Sequence, residues 1–432
     1  MAATERKSLI PVKETVVVPY NNGATYNTGS VIQILFGAGD VSNWLVQDSF
    51  FQFDLNLTIT GNAATAAIKS AHQIFDWVEV QYQGKQIYIQ NFNQQAKFID
   101  YVQNGGDYLD SEINTYATSK NLRYCHLYLD SGANTKRGCI IRVGELFNIF
   151  SQVLEIPMKK LKNQLQLNFH IADPKTFVSY PVPVTSRGDE LYNFSKPPAG
   201  VVFSNFSIDR FEFHIKDRIS SSPGVSADST IKFDYVMPQI SLRGISATDF
   251  PINSTISLPF SIVTENVDGM GIYFYYNDHP VNAFRPELIN VNFKYGNNTS
   301  PFSPVNVDSY TNPGIYKTLI NDYFDIGMGI FNTTNRDYDA SYDRRLPGSE
   351  NIINIEPENV TALYKEDCHI VLASDFVTSA DVLGSPSRAW NSQYIFQATA
   401  VGRAIPACTA CMWVKSRYMA IIHDGIIETV NV

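Results

Sequence analysis

The chain has 432 residues, of which 44% are apolar, 13% aromatic and 17% charged, with a formal net charge of −9. That length exceeds one ordinary hydrophobic core and fits two domains of about 200 residues each. The acidic balance, with no Lys/Arg run longer than Lys159-Lys160 or Arg344-Arg345, argues against direct wrapping of nucleic acid.

Residues 1–7 lack the apolar core of a signal peptide and no stretch approaches 18 apolar residues, so synthesis in the cytosol without a spanning helix is expected. The five cysteines, Cys125, Cys139, Cys368, Cys408 and Cys411, form an odd set without framework spacing, which fits free thiols in a reducing compartment. A charged fraction below the usual ~25%, beside 27 Phe and 24 Tyr, points to surface sealed against neighbouring subunits.

Lys7 to Pro19 reads as an extended N-terminal arm within residues 1–20, in which Val16-Val17-Val18 makes an edge strand ended by proline. Strands follow at Val31 to Phe36, Phe50 to Thr60, Trp77 to Tyr82 and Lys85 to Gln90, the last two joined by a Gln83-Gly84 turn. The second of these carries the clearest two-residue period in the chain: Phe51, Phe53, Leu55, Leu57 and Ile59 alternate with polar residues, the pattern of a strand with one buried face. Phe92 to Val102 and Ile141 to Val153 have apolar residues at helical spacing and are expected to be helices. A strand at Lys162 to Ile171 completes a first unit over residues 21–195. Five prolines between Asp173 and Gly200 mark a long connection, and the boundary falls near residue 200.

A second unit, residues 196–432, begins with strands at Val201 to Lys216, Ile231 to Pro238, Ser257 to Val263, Gly271 to Tyr276 and Ile289 to Tyr295. In the first, Arg210 and Phe211 break the alternation, which predicts a β-bulge. Gly296 to Pro313 and Phe331 to Gly348 read as long loops. Later strands are expected at Thr361 to Tyr364, His369 to Leu372, Gln393 to Val401, Lys415 to His423 and Ile426 to Val430, with Asp424-Gly425 as the strongest hairpin signal. Each unit therefore holds about eight strands, and no sequence repeat relates them.

No motif assembles a catalytic, cofactor or metal site. Cys408-Thr-Ala-Cys411 needs two further zinc ligands, for which Cys368 and His369 are the nearest candidates; the alternative is small cysteines in a β core. The seven histidines lie about forty or more residues apart; His170 and His214 fall on polar strand faces, where solvent or a subunit contact is the default. Asp337, Asp339 and Asp343 lack the glycine and bidentate glutamate of a calcium loop, and Arg336, Arg344 and Arg345 oppose a cation there. Gly37-Ala-Gly39-Asp40 leads from strand to strand and is a turn rather than a dinucleotide cradle. Of the Asn-x-Ser/Thr sequons, Asn56 and Asn205 fall inside expected strands.

Three stretches together resemble a known family: Trp44 to Leu57 (a turn, a Trp, then a long alternating strand), Leu161 to Ile171 before the connection, and the closing Tyr418 to Val430 hairpin. With two consecutive eight-strand units, the chain resembles the double jelly-roll major capsid proteins of icosahedral double-stranded DNA viruses, in the short form found in small viruses, virophages and polinton-like elements. The resemblance implies an all-β fold of two jelly rolls standing upright in the shell, with a few short helices in loops. It further implies a homotrimer of pseudo-hexagonal outline, no enzymatic activity and no cofactor. The implied partners are further copies of the chain, minor capsid and penton proteins and an internal membrane, with no direct sequence-specific nucleic-acid binding. The arm at Lys7 to Pro19 would touch neighbours or that membrane, and the loops at Gly296 to Pro313 and Phe331 to Gly348 would crown the capsomer. Two other readings compete: a carbohydrate-binding or carbohydrate-active jelly-roll protein, its tyrosines and Trp44, Trp77, Trp390 and Trp413 stacking on sugars, and a minor capsid or spike protein.

Overall fold

The computed structural model describes residues 12–21, 23, 25–60, 65–68, 74–92, 127–130, 134–179, 202–219, 230–246, 248–263, 267–276, 279–284, 288–295, 298–305, 372–375, 392–400, 405, 407–423 and 425–431. The first strands are β1 (Val12–Val17), β2 (Thr25–Tyr26), β3 (Val31–Phe36), β4 (Asn43–Thr60), β5 (Thr65–Ile68), β6 (Phe75–Tyr82) and β7 (Lys85–Asn91). They are followed by β8 (Leu127–Asp130), β9 (Asn134–Arg142), β10 (Glu155–Pro157), β11 (Leu165–Ile171), β12 (Val178–Ser179) and β13 (Val202–Arg218). One sheet takes β1, β13, β4 and β10, with β2 on β13 and β9 on β4; the facing sheet has the order β3-β11-β6-β7. A small third sheet, β12-β5-β8, stands apart.

The second set is β14 (Ile231–Ile245), β15 (Thr255–Ile262), β16 (Val267–Tyr276), β17 (His279–Phe284) and β18 (Leu288–Tyr295). It continues with β19 (Asn298–Val305), β20 (Leu372–Asp375), β21 (Ser392–Ala400), β22 (Cys408–His423) and β23 (Ile426–Asn431). One sheet runs β14-β22-β16-β17, with β20 on β16 and β23 on β22, and faces the sheet β15-β21-β18-β19. The two sets have the same plan. β1, β13, β4 and β9 correspond to β14, β22, β16 and β20, and β3, β11, β6 and β7 correspond to β15, β21, β18 and β19. The chain crosses repeatedly between the two facing sheets of each set, as a jelly roll does.

Alternation explains each roll's core. In β3, Ile32, Ile34 and Phe36 point inward and are fully buried, and in β4 Phe51, Phe53, Leu55, Leu57 and Ile59 do the same. Phe51 sits at the centre of the first roll, 4.5 Å from Phe213, 4.9 Å from Phe169 and 6.0 Å from Phe147 between ring centroids. Phe274, Phe293 and Phe396 play this part in the second roll, at 5.5 to 6.1 Å.

Bulges switch the inward parity where the alternation fails. The predicted one is present: the β13 register against β4 shifts between Asp209 and Glu212, and Arg210 has a φ of 49°. Before it Phe206 and Ile208 face inward; after it Phe211, Phe213 and Ile215 do. A second shift explains why β4 begins at Asn43, earlier than expected. Between Leu45 and Phe50 the strand takes extra residues against β13, so Trp44 and Val46 are inward on even numbers and Phe51 on odd ones. Ser49 is fully buried in this bulge, where its hydroxyl donates to the Leu45 carbonyl (2.7 Å) and accepts from Trp44 Nε1 (3.1 Å) and the Lys216 amide (3.0 Å).

Four expectations are corrected. β13 was expected to open the second unit, yet it pairs with β4 and β1 in the first roll's sheet, so we place the division within residues 219–230 rather than near 195 to 200. Ile141 to Val153 is not one helix: β9 runs to Arg142, followed by a single turn at Val143–Leu146 and a 3₁₀ turn at Asn148–Phe150. Its apolar side chains Val143, Leu146, Phe147 and Phe150 are buried against the roll, which rewards folding back over continuing a helix. The described part of the arm, β1, is an edge strand as expected, but it is bonded to β13 within its own chain. Within Gly296 to Pro313, residues 298–305 form β19, so that stretch is not a single loop. The helix expected at Phe92 to Val102, beyond Phe92 itself, and the strand at Thr361 to Tyr364 lie outside the described residues.

Truncating Phe51→Ala removes the hub of the aromatic cluster and is expected to lower unfolding stability by about 3–5 kcal/mol. Urea denaturation followed by tryptophan fluorescence measures this, and a loss below about 1 kcal/mol would contradict the packing described.

Candidate functional site: the seam between the rolls and their two ends

The rolls are joined by a polar latch and an aromatic seam. Gly425, in the turn between β22 and β23, has a φ of +79°, which glycine adopts without steric cost. Its carbonyl accepts from the Tyr82 hydroxyl (2.8 Å) and from Gln83 Nε2 (3.1 Å) at the β6–β7 turn of the first roll. The same Tyr82 oxygen accepts the backbone N–H of Lys162 (3.0 Å) and of Asn163 (3.3 Å). A Cβ on residue 425 would stand 2.5 Å from Lys162 Cγ, a flexible side chain that can turn aside, so it is the positive φ that favours glycine there.

Beside the latch, Tyr88 and Phe150 of the first roll meet Tyr235 and Phe233 of the second at centroid distances of 5.9 and 6.4 Å, and Tyr235 stacks on Tyr418 at 5.6 Å. Burial pushes the Tyr88 phenol well above its ordinary pKa; burial first and the Tyr418 phenol second do the same for Tyr235. Both remain neutral, so the seam carries no charge that must be desolvated. The Tyr88 hydroxyl is satisfied by Gln90 and by the Asn148 amide.

The pairing registers fix how the rolls stand. In the first roll β3, β6, β10 and β13 end, and β1, β4, β7 and β11 begin, at one end. In the second, β15, β18 and β22 end, and β14, β16, β19, β21 and β23 begin, at the end that carries the Gly425 turn. Because Gly425 docks beside Tyr82, these ends lie together and the rolls stand side by side with the same polarity. Links at this end include the short 37–42, 83–84, 263–266, 296–297 and 424–425 and the longer 219–230 and 376–391. The strands joined by segments 92–133, 172–201 and 306–371 meet those segments at the opposite end.

The residues singled out for chemistry are not gathered into one site. Cys408 and Cys411 lie on β22 in unbroken register with β14, and a spacing of three puts them on opposite faces of the sheet, so they cannot share one metal ion. Burial alone pushes the Cys408 thiol up to about 12, which keeps it protonated. Cys368, His369 and the Asp337, Asp339 and Asp343 loop lie outside the described residues, and no metal-binding cluster occurs among the described ones. His170 stacks on Trp77 at 3.8 Å; burial lowers its pKa, outweighing the Glu79 carboxylate. His214 stacks on Phe50 at 4.7 Å and bonds Glu14 at 2.7 Å, tying β1 to β13. Gly37 to Asp40 is the expected turn, with the Gly37 amide donating to Asp40 Oδ2 at 2.9 Å. Tyr82, Lys162 and Tyr235 were not foreseen: each reads locally as an ordinary strand or loop residue, and only the hairpin signal at Gly425 marks the latch.

No protein-family model matches the sequence, and no curated protein matches it. Solved structures do. The mavirus major capsid protein superposes with a TM-score of 0.58 at 11% identity, over 99% of this chain and 92% of its own. VP54 of PBCV-1, as fitted into a reconstruction of the virophage Sputnik, gives 0.58 at 11% identity over 100% and 99%. The Sputnik virophage structure gives 0.52 at 10% over 100% and 91%. The described residues therefore have the two-roll fold of these proteins.

Three outcomes follow from the seam and the cysteines. Gly425→Val is expected to break the latch, lower the thermal midpoint and split a single calorimetric transition into two, while Tyr82→Phe costs about 1–3 kcal/mol by leaving buried partners unsatisfied; one unchanged transition in Gly425→Val would contradict the latch. In native protein at pH 8, Cys408 should react with iodoacetamide far more slowly than in urea, read by peptide mass spectrometry.

Proposed function

We propose that the chain is a major capsid protein of an icosahedral double-stranded DNA virus, made in the host cytosol and assembled into the virion shell. The observation that carries this reading is the repeated strand order: two rolls of the same plan stand side by side with one polarity. Three such chains around one axis present six similar columns, a pseudo-hexagonal outline that tiles a closed lattice. The end joined to the longer segments faces outward and the short-turn end inward, where β1 begins. Minor proteins at the vertices, which a hexagonal tile cannot fill, complete the shell.

The sparse charge supports the same reading, since obligate interfaces remove charged residues from contact surfaces. The sugar-binding alternative loses three of its four tryptophan platforms: Trp44 and Trp413 are fully buried and Trp77 is stacked against His170, while Trp390 lies outside the described residues. The buried carboxylates of Asp54 and Asp217 are taken up by their own chain, the first by Arg210 Nε (2.7 Å), the second by the Ser42 and Asn43 amides.

Sedimentation equilibrium of the purified chain at micromolar concentration is expected to return three times the 48.4 kDa chain mass. A stable monomer under those conditions would remove the basis for shell assembly.

A further inference from the structure

One cluster of charged side chains joins the first and last strands of the first roll. Glu14 of β1 stands between His214 and Lys216 of β13: one of its oxygens lies 2.7 Å from His214 Nδ1, and the other accepts from Lys216 Nζ. The second ring nitrogen of His214, Nε2, lies 3.3 Å from a carboxylate oxygen of Glu212. The ring is fixed by Phe50 of β4, stacked on it at 4.7 Å with an interplanar angle of 8°, and Lys216 Nζ stands 5.9 Å from the same phenyl ring. Beyond Phe50, β9 contributes Arg142, paired with Phe50 and exposed, and Asp48 lies exposed in the β4 bulge. Lys13, beside Glu14, alternates to the other face of β1.

Both ring nitrogens of His214 thus face carboxylate oxygens, and an ionised carboxylate can only accept. The imidazolium supplies an N–H to each; the neutral ring has a single N–H and turns a lone pair toward the other carboxylate. Loss of the proton therefore removes the charge from the Glu14–His214 contact and sets Glu14 and Glu212 in competition for one donor. Histidine side chains change charge between about pH 5 and 8. Glu14 titrates lower: the Lys216 ammonium first, and His214 second, hold its carboxyl below the ordinary value of 4.5, so it stays ionised across that range. β1 depends on this contact because it is an edge strand, exposed or half-buried at every position and paired with β13 alone among the described strands.

We propose that Glu14, His214 and Glu212 form a proton-dependent clamp on β1, which holds this strand against β13 while His214 is protonated and loosens it as the pH rises and the ring becomes neutral. Loosening uncovers the backbone edge of β13 from Phe213 to Arg218, and an uncovered sheet edge is a template for pairing with another strand. The clamp fails in the other direction only in stronger acid, where Glu14 itself takes up a proton. The inference rests on this cluster and stands whether or not the chain assembles into a shell.

The test is hydrogen–deuterium exchange of the purified full chain, read by mass spectrometry on peptides covering β1 at about pH 5.5 and about pH 8, on either side of an ordinary histidine's titration. Labelling times are scaled for the pH dependence of intrinsic amide exchange. β1 is expected to be roughly two- to fivefold better protected in the more acidic sample, the range that exposed ion pairs supply. Peptides of β21, in the second roll, should show no such change. His214→Gln and, separately, Glu14→Gln should remove the pH dependence, with unchanged protection of β4 showing that each variant is folded. If His214→Gln disturbs β4 through the Phe50 stack, Glu14→Gln, on the exposed edge strand, carries the test alone. The proposal is overturned by equal protection of β1 at the two pH values, by greater protection at the higher one, by an equal change in β21, or by a pH dependence that survives undiminished in folded Glu14→Gln.

Discussion

Everything in this molecule depends on keeping aromatic side chains between two facing sheets over strands as long as β4 and β13. In the first roll β4 and β13 do not hold one parity along their length, whereas in the second β14 and β22 pair over their length without a break. The chain resolves this with bulges, at Ser49 in β4 and at Arg210 in β13, each of which resets which residues face inward. The polar atoms that a bulge releases are recaptured. Ser49 bonds three partners at its bulge, and Arg210 turns its guanidinium onto the buried Asp54 carboxylate. The aromatic core of the first roll stays continuous as a result.

The rolls share a plan without sharing a sequence, and their relation is set by few contacts. Gly425, Tyr82 and Lys162 fasten one pair of turns, and the Tyr88, Phe150, Phe233, Tyr235 and Tyr418 rings fill the space alongside. The seam is neutral and hydrogen-bonded, so it avoids the desolvation cost that a buried ion pair would bring. Side-by-side standing gives the molecule two unlike ends, one of mostly short links and one joined to the longest segments. Under the proposed function, that difference would separate the inside of a shell from its outside.

Much of this was legible in the sequence wherever alternation was unbroken. β3, the β6–β7 hairpin and the β22–β23 hairpin fall where period and turn residues place them, down to positive φ at Gly84 and Gly425; the positive φ of Gln83 was not foreseen. Reading failed where the period changed sign or vanished. The first residues of β4 were missed because Trp44 and Val46 belong to the opposite parity from Phe51. The first residues of β22 were missed because both faces are buried between Cys408 and Val414, which erases the alternation. The division between the rolls was misplaced for a topological reason. The proline-rich stretch after Asp173 does mark a long connection, but it lies inside the first roll, before the strand that closes its sheet. The latch was illegible because Tyr82 and Gly425 are 343 residues apart.

The most direct test of the account is electron cryomicroscopy of the purified chain at high concentration. Six-lobed particles with threefold symmetry, each pair of lobes belonging to one chain and the strands running along the particle axis, are the predicted result. Isolated two-lobed particles, or trimers whose strands lie flat in the plane of the particle, would contradict it.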